Sequence, residues 1–296
     1  MPELRRREVL IGGACAWALT QSSGAAFGQF VSAPSRGAPS SSWIKGFNSS
    51  VRLIGGALPP SEIGGKSRLI VGVEMRLEEG WKTYWRHPGD DGGLPPSFDW
   101  SASKNLRSAK VLYPVPKRLK GLTGISIGYV NSVLFPVEIE AENASSSVEL
   151  ALSIEYGICR EICVPAEMQL KLSLPARLAV MPPEIAAALE KVPQRVVTTK
   201  DILRAAKAVL TGPAPMITLD IAADGGGTGE GSDLFAEVVE GSFLPVAYRR
   251  GGASGGAQRY VIDLKGVDEA PALAGKTLRL TLASSLKPIE ILWSIK

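Results

Sequence analysis

From Trp43 onward, short stretches of alternating apolar and polar residues are separated by turn formers. "SVRLIGGAL", "SRLIVGVEMRL", "SVLFPVEIE", "SVELALSIEY" and "MQLKLSLP" have the period of two, or the β-branched content, expected of half-buried strands. Gly-Gly, Pro-Pro and Asn/Ser clusters punctuate them at about the spacing of a β-sandwich. The helical period is clearest in "PPEIAAALEKVPQR", where Pro182 and Pro183 suit a helix start and Pro193 a stop. A second series follows: "APMITLDIAA", "DLFAEVVEG", "QRYVIDLKG", "KTLRLTLASS" and "KPIEILWSIK". The pattern predicts an all-β protein, a sandwich followed by a smaller β-sandwich-like domain, with a short helix between them.

The glycine-rich tracts "ADGGGTGEG" and "RRGGASGG" read as loops. Neither has the strand-before, helix-after setting of a phosphate cradle. The basic residues are scattered and the formal charge is only +4, which speaks against a nucleic-acid partner.

The first residues read as an address. Arg5, Arg6 and Arg7 precede a modest apolar stretch from Val9 to Leu19, and small residues follow in "SSGAAFGQ". That is the layout of a bacterial export signal, and the Arg6-Arg7 pair gives it the twin-arginine form. Residues 1–28 are expected to be removed near Ala26 or Gly28, and 29–44 to be a flexible Ser/Pro/Gly/Ala leader. No later apolar run reaches the roughly 18–20 residues of a membrane span. The processed protein is therefore expected in the periplasm, without a span of its own. The expected segments are a first β domain over 45–176, a helical linker over 177–196 and a second β domain over 197–296.

Processing would leave Cys159 and Cys163 as the only cysteines. An oxidising compartment lets such a pair close. On one continuous strand they would be about 13 Å apart, whereas a disulfide needs Cα atoms within about 4.4–6.8 Å. Any bridge requires the chain to turn through Arg160, Glu161 and Ile162, by a tight loop or one helical turn, so neither half is expected to be a plain strand. Three uses remain open. A staple closing about five residues contributes only about 2 kcal/mol of loop entropy. A short-loop bridge is easily opened and reclosed, which suits exchange chemistry. A metal clamp could add Met168, since soft sulfur ligands suit Cu(I), but a zinc site would lack ligands in a chain whose one histidine is His87. The Asp90-Asp91 pair in "PGDDGG" reads as a turn.

"GWKTYWRHPGDDGGLPPSFDWSASKNL", "VLYPVPKRL", "LFPVEIE" and "YGICREICVPAE" together resemble the N-terminal periplasmic region of the DsbD/ScsB-type thiol:disulfide interchange proteins. The similarity covers about residues 45–176 well and the rest more loosely. It implies an immunoglobulin-like sandwich with a redox-active Cys-x3-Cys dithiol that passes reducing equivalents to oxidised periplasmic thiol–disulfide proteins. By position, Cys163 matches the cysteine that forms mixed disulfides, and Cys159 the one that resolves them. Tyr84, Trp85 and His87 fall in the aromatic stretch that the resemblance places near the dithiol, where they could shield it; sandwich core is the other reading. No cofactor is implied. Full-length members continue into a membrane domain and a thioredoxin-like domain, so a membrane-embedded donor acting in trans is expected here. The alternatives are a copper-tolerance protein binding Cu(I) through Cys159, Cys163 and Met168, or a non-catalytic β-sandwich binding module.

Overall fold

The computed structural model describes residues 37–59, 68–121, 124–197, 200–222, 232–252, 256–283 and 287–296. The expected export signal lies outside the described residues, as do 29–36 of the expected leader.

Eleven strands build the first β region: β1 (Ile44–Gly46), β2 (Ser49–Leu58), β3 (Arg68–Leu77), β4 (Lys82–Gly89), β5 (Ser97–Asp99), β6 (Leu106–Val111), β7 (Lys117–Lys120), β8 (Ile125–Val130), β9 (Ser132–Ala141), β10 (Val148–Cys159) and β11 (Cys163–Leu174). They form two antiparallel sheets, one in the order β1-β2-β3-β9-β6, the other β11-β10-β4-β8-β7 with β5 also on β10. Alternation puts one face of each sheet inside. Val51, Leu53, Val73 and Phe135 of one share a buried cluster with Trp85, Ile127, Leu152 and Ile154 of the other. This is the expected immunoglobulin-like sandwich.

One part of the expected leader differs from expectation. Ser40 bridges Ile54, Gly55 N–H donates to the Pro39 carbonyl at 2.7 Å, and Ser41 N–H to the Leu53 carbonyl at 2.9 Å. Residues 39–41 therefore lie along β2 as extra edge pairing.

The helix α1 (Pro183–Leu189) follows. It docks on the outer face of β2 and β3, where Ile185 is buried with Ile54 and Ile70. Gly56 and Gly72 make the saddle: a Cβ on Gly56 would meet Pro182 Cδ at 2.7 Å, and one on Gly72 would meet Ile185 Cγ1 at 3.1 Å.

The second β region has eight strands: β12 (Gln194–Arg195), β13 (Leu203–Val209), β14 (Met216–Ile221), β15 (Asp233–Val238), β16 (Tyr248–Gly252), β17 (Gln258–Asp263), β18 (Thr277–Ala283) and β19 (Ile289–Ser294). They make two four-stranded sheets, β12-β19-β18-β15 and β13-β14-β17-β16. Among the described residues, only the two-residue β12–β19 pair is parallel. Ile217, Leu219, Tyr260 and Ile262 meet Leu234, Leu278, Leu280 and Ile291 in a separate core. Among the described residues, no helix is long and apolar enough to cross a membrane.

The two regions also touch. Phe235 and Val246 join the core cluster of the first sandwich, and the Phe235 ring lies 5.8 Å from that of Trp85. Around this contact, Arg86 pairs with Glu237 at 2.6 Å and with Glu290 at 3.2 Å, and Arg118 pairs with Asp233.

Candidate functional site

Strands β10 and β11 form one long hairpin, twelve residues on each side, paired in register from Val148↔Leu174 to Cys159↔Cys163. The expectation that neither half would be a plain strand is corrected: both are, and only Arg160, Glu161 and Ile162 turn. Arg160 N–H closes the turn on the Ile162 carbonyl at 3.1 Å. Pro165 is tolerated because β11 is the edge strand of its sheet. The cysteines are thus direct cross-strand neighbours, with Cα atoms 4.2 Å apart, joined by a disulfide.

The pleat decides which way they face. Val148, Leu150, Leu152, Ile154, Tyr156 and Ile158 point into the core, so Cys159 projects from the outer face of the sheet. It is nevertheless only 1% exposed. Tyr84 lies against it, and the segment that follows backs the Tyr84 ring. Gly93 lies against the Tyr84 ring so closely that a Cβ there would be 2.3 Å from Cζ. The Leu94 carbonyl accepts Gly157 N–H at 2.8 Å, two residues before Cys159. Cys163, on the edge strand at the hairpin tip, is exposed. The same disulfide therefore joins one buried and one exposed residue.

Tyr84 touches both. Its hydroxyl lies 2.9 Å from Cys159 Sγ and 2.8 Å from Cys163 Sγ. Disulfide sulfurs carry no proton, so the phenol is the donor. Burial, and then the negative charge of Asp91, raise the Tyr84 pKa above the ordinary phenol value, which keeps the proton on the donor.

The other two aromatic candidates lie elsewhere. Trp85 is fully buried in the sandwich core, because neighbours on a strand point to opposite faces. The His87 ring bonds the Leu244 carbonyl at 2.8 Å and meets Phe243 edge-on, so it belongs to the contact with the second region. The expected shielding role is corrected for both: of the three, Tyr84 alone reaches the sulfurs.

The copper ligand set is corrected as well. Met168 lies five positions beyond Cys163 on the same strand, about 16 Å along it. The odd spacing also turns it to the inner face, where Tyr156 Oη sits 3.7 Å from its sulfur. Met168 cannot share one ion with Cys159 and Cys163. Among the described residues, no three His, Cys, Asp or Glu side chains cluster as a metal site.

Sequence reasoning missed the cover and its anchor. Asp90 and Asp91 do form a turn, with Gly92 N–H on the Gly89 carbonyl at 3.2 Å. Asp90 Oδ1 also accepts Val246 N–H at 2.8 Å, and its Oδ2 the Tyr248 hydroxyl at 3.2 Å. The density of Gly and Pro in "PGDDGGLPP", immediately after the aromatic stretch, was the available signal.

Residues 58–175 match the family described as thiol:disulfide interchange protein DsbD, N-terminal. It is this segment that is similar to the DsbD N-terminal family. Its disulfide is the Cys-x3-Cys pair within the matched segment. Among solved structures, the chain is similar to the N-terminal periplasmic domain of ScsB from Proteus mirabilis, with a TM-score of 0.62 and 19% identity. The match covers 86% of this chain and 98% of that one, so the likeness of fold extends past the DsbD N-terminal segment into the second β region. No match is found among curated protein sequences.

Proposed function

We propose that the protein is a periplasmic thiol:disulfide interchange component that takes reducing equivalents from a membrane-embedded dithiol donor in trans. It passes them to oxidised periplasmic thiol–disulfide proteins. The observation that carries this reading is the asymmetry of the pair: Cys163 exposed, Cys159 covered, and one tyrosine hydroxyl on both.

In the delivering half-reaction, the Cys163 thiolate attacks one sulfur of a partner disulfide. A mixed disulfide forms and a partner thiolate leaves. The Cys159 thiolate then attacks Cys163 Sγ, closing the intramolecular bond and releasing the second partner thiolate. Two electrons pass to the partner, and the Cys159–Cys163 disulfide is left. A donor dithiol restores the reduced pair by the same steps in reverse. The exposure of Cys163 beside a covered Cys159 supports Cys163 as the residue that attacks first. Tyr84 supplies a hydrogen bond to whichever sulfur carries negative charge, and such a bond to a charged acceptor is worth about 1.5–3 kcal/mol.

The twin-arginine segment supports export, and the compartment named for the ScsB domain agrees with it. Redox titration in thiol buffers tests the proposal. The pair should cycle reversibly, with a potential between the thioredoxin-like and oxidant-like extremes of about −270 to −120 mV. A pair that cannot be cycled would refute it.

A further inference from the structure

The segment from Tyr84 to Leu94 meets the dithiol surroundings at both ends and the second β region in between. At one end, Tyr84 bonds both sulfurs. At the other, Gly93 packs on the Tyr84 ring and Leu94 is bonded to Gly157. Between them the β4–β8 ladder breaks, with a register shift from Tyr84 to Gly89. The contacts that replace it are long-range. Arg86 goes to Glu237 and Glu290, His87 to the Leu244 carbonyl, and Asp90 to Val246 N–H and the Tyr248 hydroxyl.

We propose that Asp90 is a positioning residue through which the second β region holds the 89–94 cover, and with it Tyr84, over the dithiol. Both carboxylate oxygens are engaged by β16 and the residue two before it. The turn that follows also bonds its own sandwich, by Asp91 N–H to the Ile125 carbonyl at 3.3 Å, Ser126 Oγ to Asp91 Oδ2 at 3.2 Å and Gly92 N–H to the Gly89 carbonyl at 3.2 Å. The bond from Val246 N–H, at 2.8 Å, ties the turn to the second region. Asp90 touches neither sulfur. It acts by fixing the base of the cover, so that Gly93 stays on the Tyr84 ring and Cys159 stays shielded. The second region thereby sets how readily a reagent reaches the covered Cys159 sulfur, which gives the C-terminal half of the protein a part in the chemistry of the first sandwich.

The test measures the second-order rate at which iodoacetamide alkylates Cys159 in the full chain carrying Cys163→Ser, so that of the pair only the covered sulfur reports. Asp90→Ala removes both contacts. Its rate should rise about fivefold, the factor set by losing one ordinary hydrogen bond. Asp90→Asn keeps the acceptor for Val246 N–H and should stay within about twofold of the parent. Ile217→Val trims the fully buried core of the second region and removes neither bond to Asp90. It reports simple loss of stability and should also stay within about twofold, because cover opening differs from global unfolding. An Asp90→Ala rate within twofold of the parent would overturn the proposal. So would Asp90→Asn or Ile217→Val accelerating as much as Asp90→Ala. The inference rests on the dithiol reading for its purpose, but the alkylation rate needs no protein partner. A pair that fails to exchange with partners would defeat the functional proposal and leave this ordering of rates intact.

Discussion

The Tyr84 hydroxyl donates to Cys159 Sγ at 2.9 Å across 75 positions of sequence. Two strands meet there on the outer face of a sheet, away from the core that Trp85 fills one position later. The phenol is the polar group that both sulfurs share.

Tyr84→Phe keeps the ring and its packing and removes the donor. In the reduced protein the reactive thiolate should lose a charge-assisted hydrogen bond, raising its pKa by about one unit. Alkylation rate against pH should show the profile displaced upward with its shape unchanged. An unmoved profile would show that the hydroxyl does not support the thiolate.

All six tyrosines have pKa values raised above the ordinary phenol value of 10.0, with burial as the first cause in each. A phenol whose folded pKa lies above its unfolded one adds stability below about pH 10. That stability is lost as pH climbs toward the folded value. Urea midpoints should therefore be unaffected by the tyrosines up to about pH 9 and fall above that. Phenolate absorbance should rise first from the half-exposed Tyr248 and last from Tyr129, whose pKa is raised furthest. Several tyrosines ionising near pH 10 with the fold intact would contradict the burial described.

Arg86 and Arg279 alternate with Glu237 and Glu290 at the contact between the two β regions, with separations of 2.6 to 3.5 Å. Arg86→Met leaves two carboxylates with one cation between them. The expected cost is about 2–3 kcal/mol, below the 3–5 of a fully buried pair because Arg86 keeps 19% of its side chain exposed. Equilibrium urea unfolding measures it. Unchanged stability would mean that the cluster holds nothing together.

Reduction should barely disturb the fold. The bridge closes a hairpin already paired over its whole length, and a loop of about five residues gives about 2 kcal/mol of unfolded-state entropy. Urea curves with and without reductant should differ by about that amount. Global unfolding on reduction would make the bridge a staple.

Much of this was legible in the sequence. Alternation in "SVELALSIEY" and "MQLKLSLP" marked both strands of the hairpin, and bridging geometry required a turn at 160–162. The ladder's run up to the cysteines was hidden, because Gly157 and Pro165 interrupt the pattern that signals a strand. Parity would have separated Tyr84 from Trp85, and Cys163 from Met168, had the strand register been known. The anchoring of Asp90 and the pairing of Arg86 with Glu237, 151 positions away, leave no local mark. Contacts between the two β regions depend on how two finished sandwiches meet.

In the proposed mechanism Cys163 makes the attack and Cys159 resolves it. Reduced Cys159→Ser and Cys163→Ser proteins, each presented with an oxidised thiol–disulfide protein and run on non-reducing gels, test it most directly. Cys159→Ser should accumulate a covalent complex through the exposed Cys163, cleared by reductant, and Cys163→Ser should give few or none. The reverse pattern, or no complex with either variant, would contradict the account.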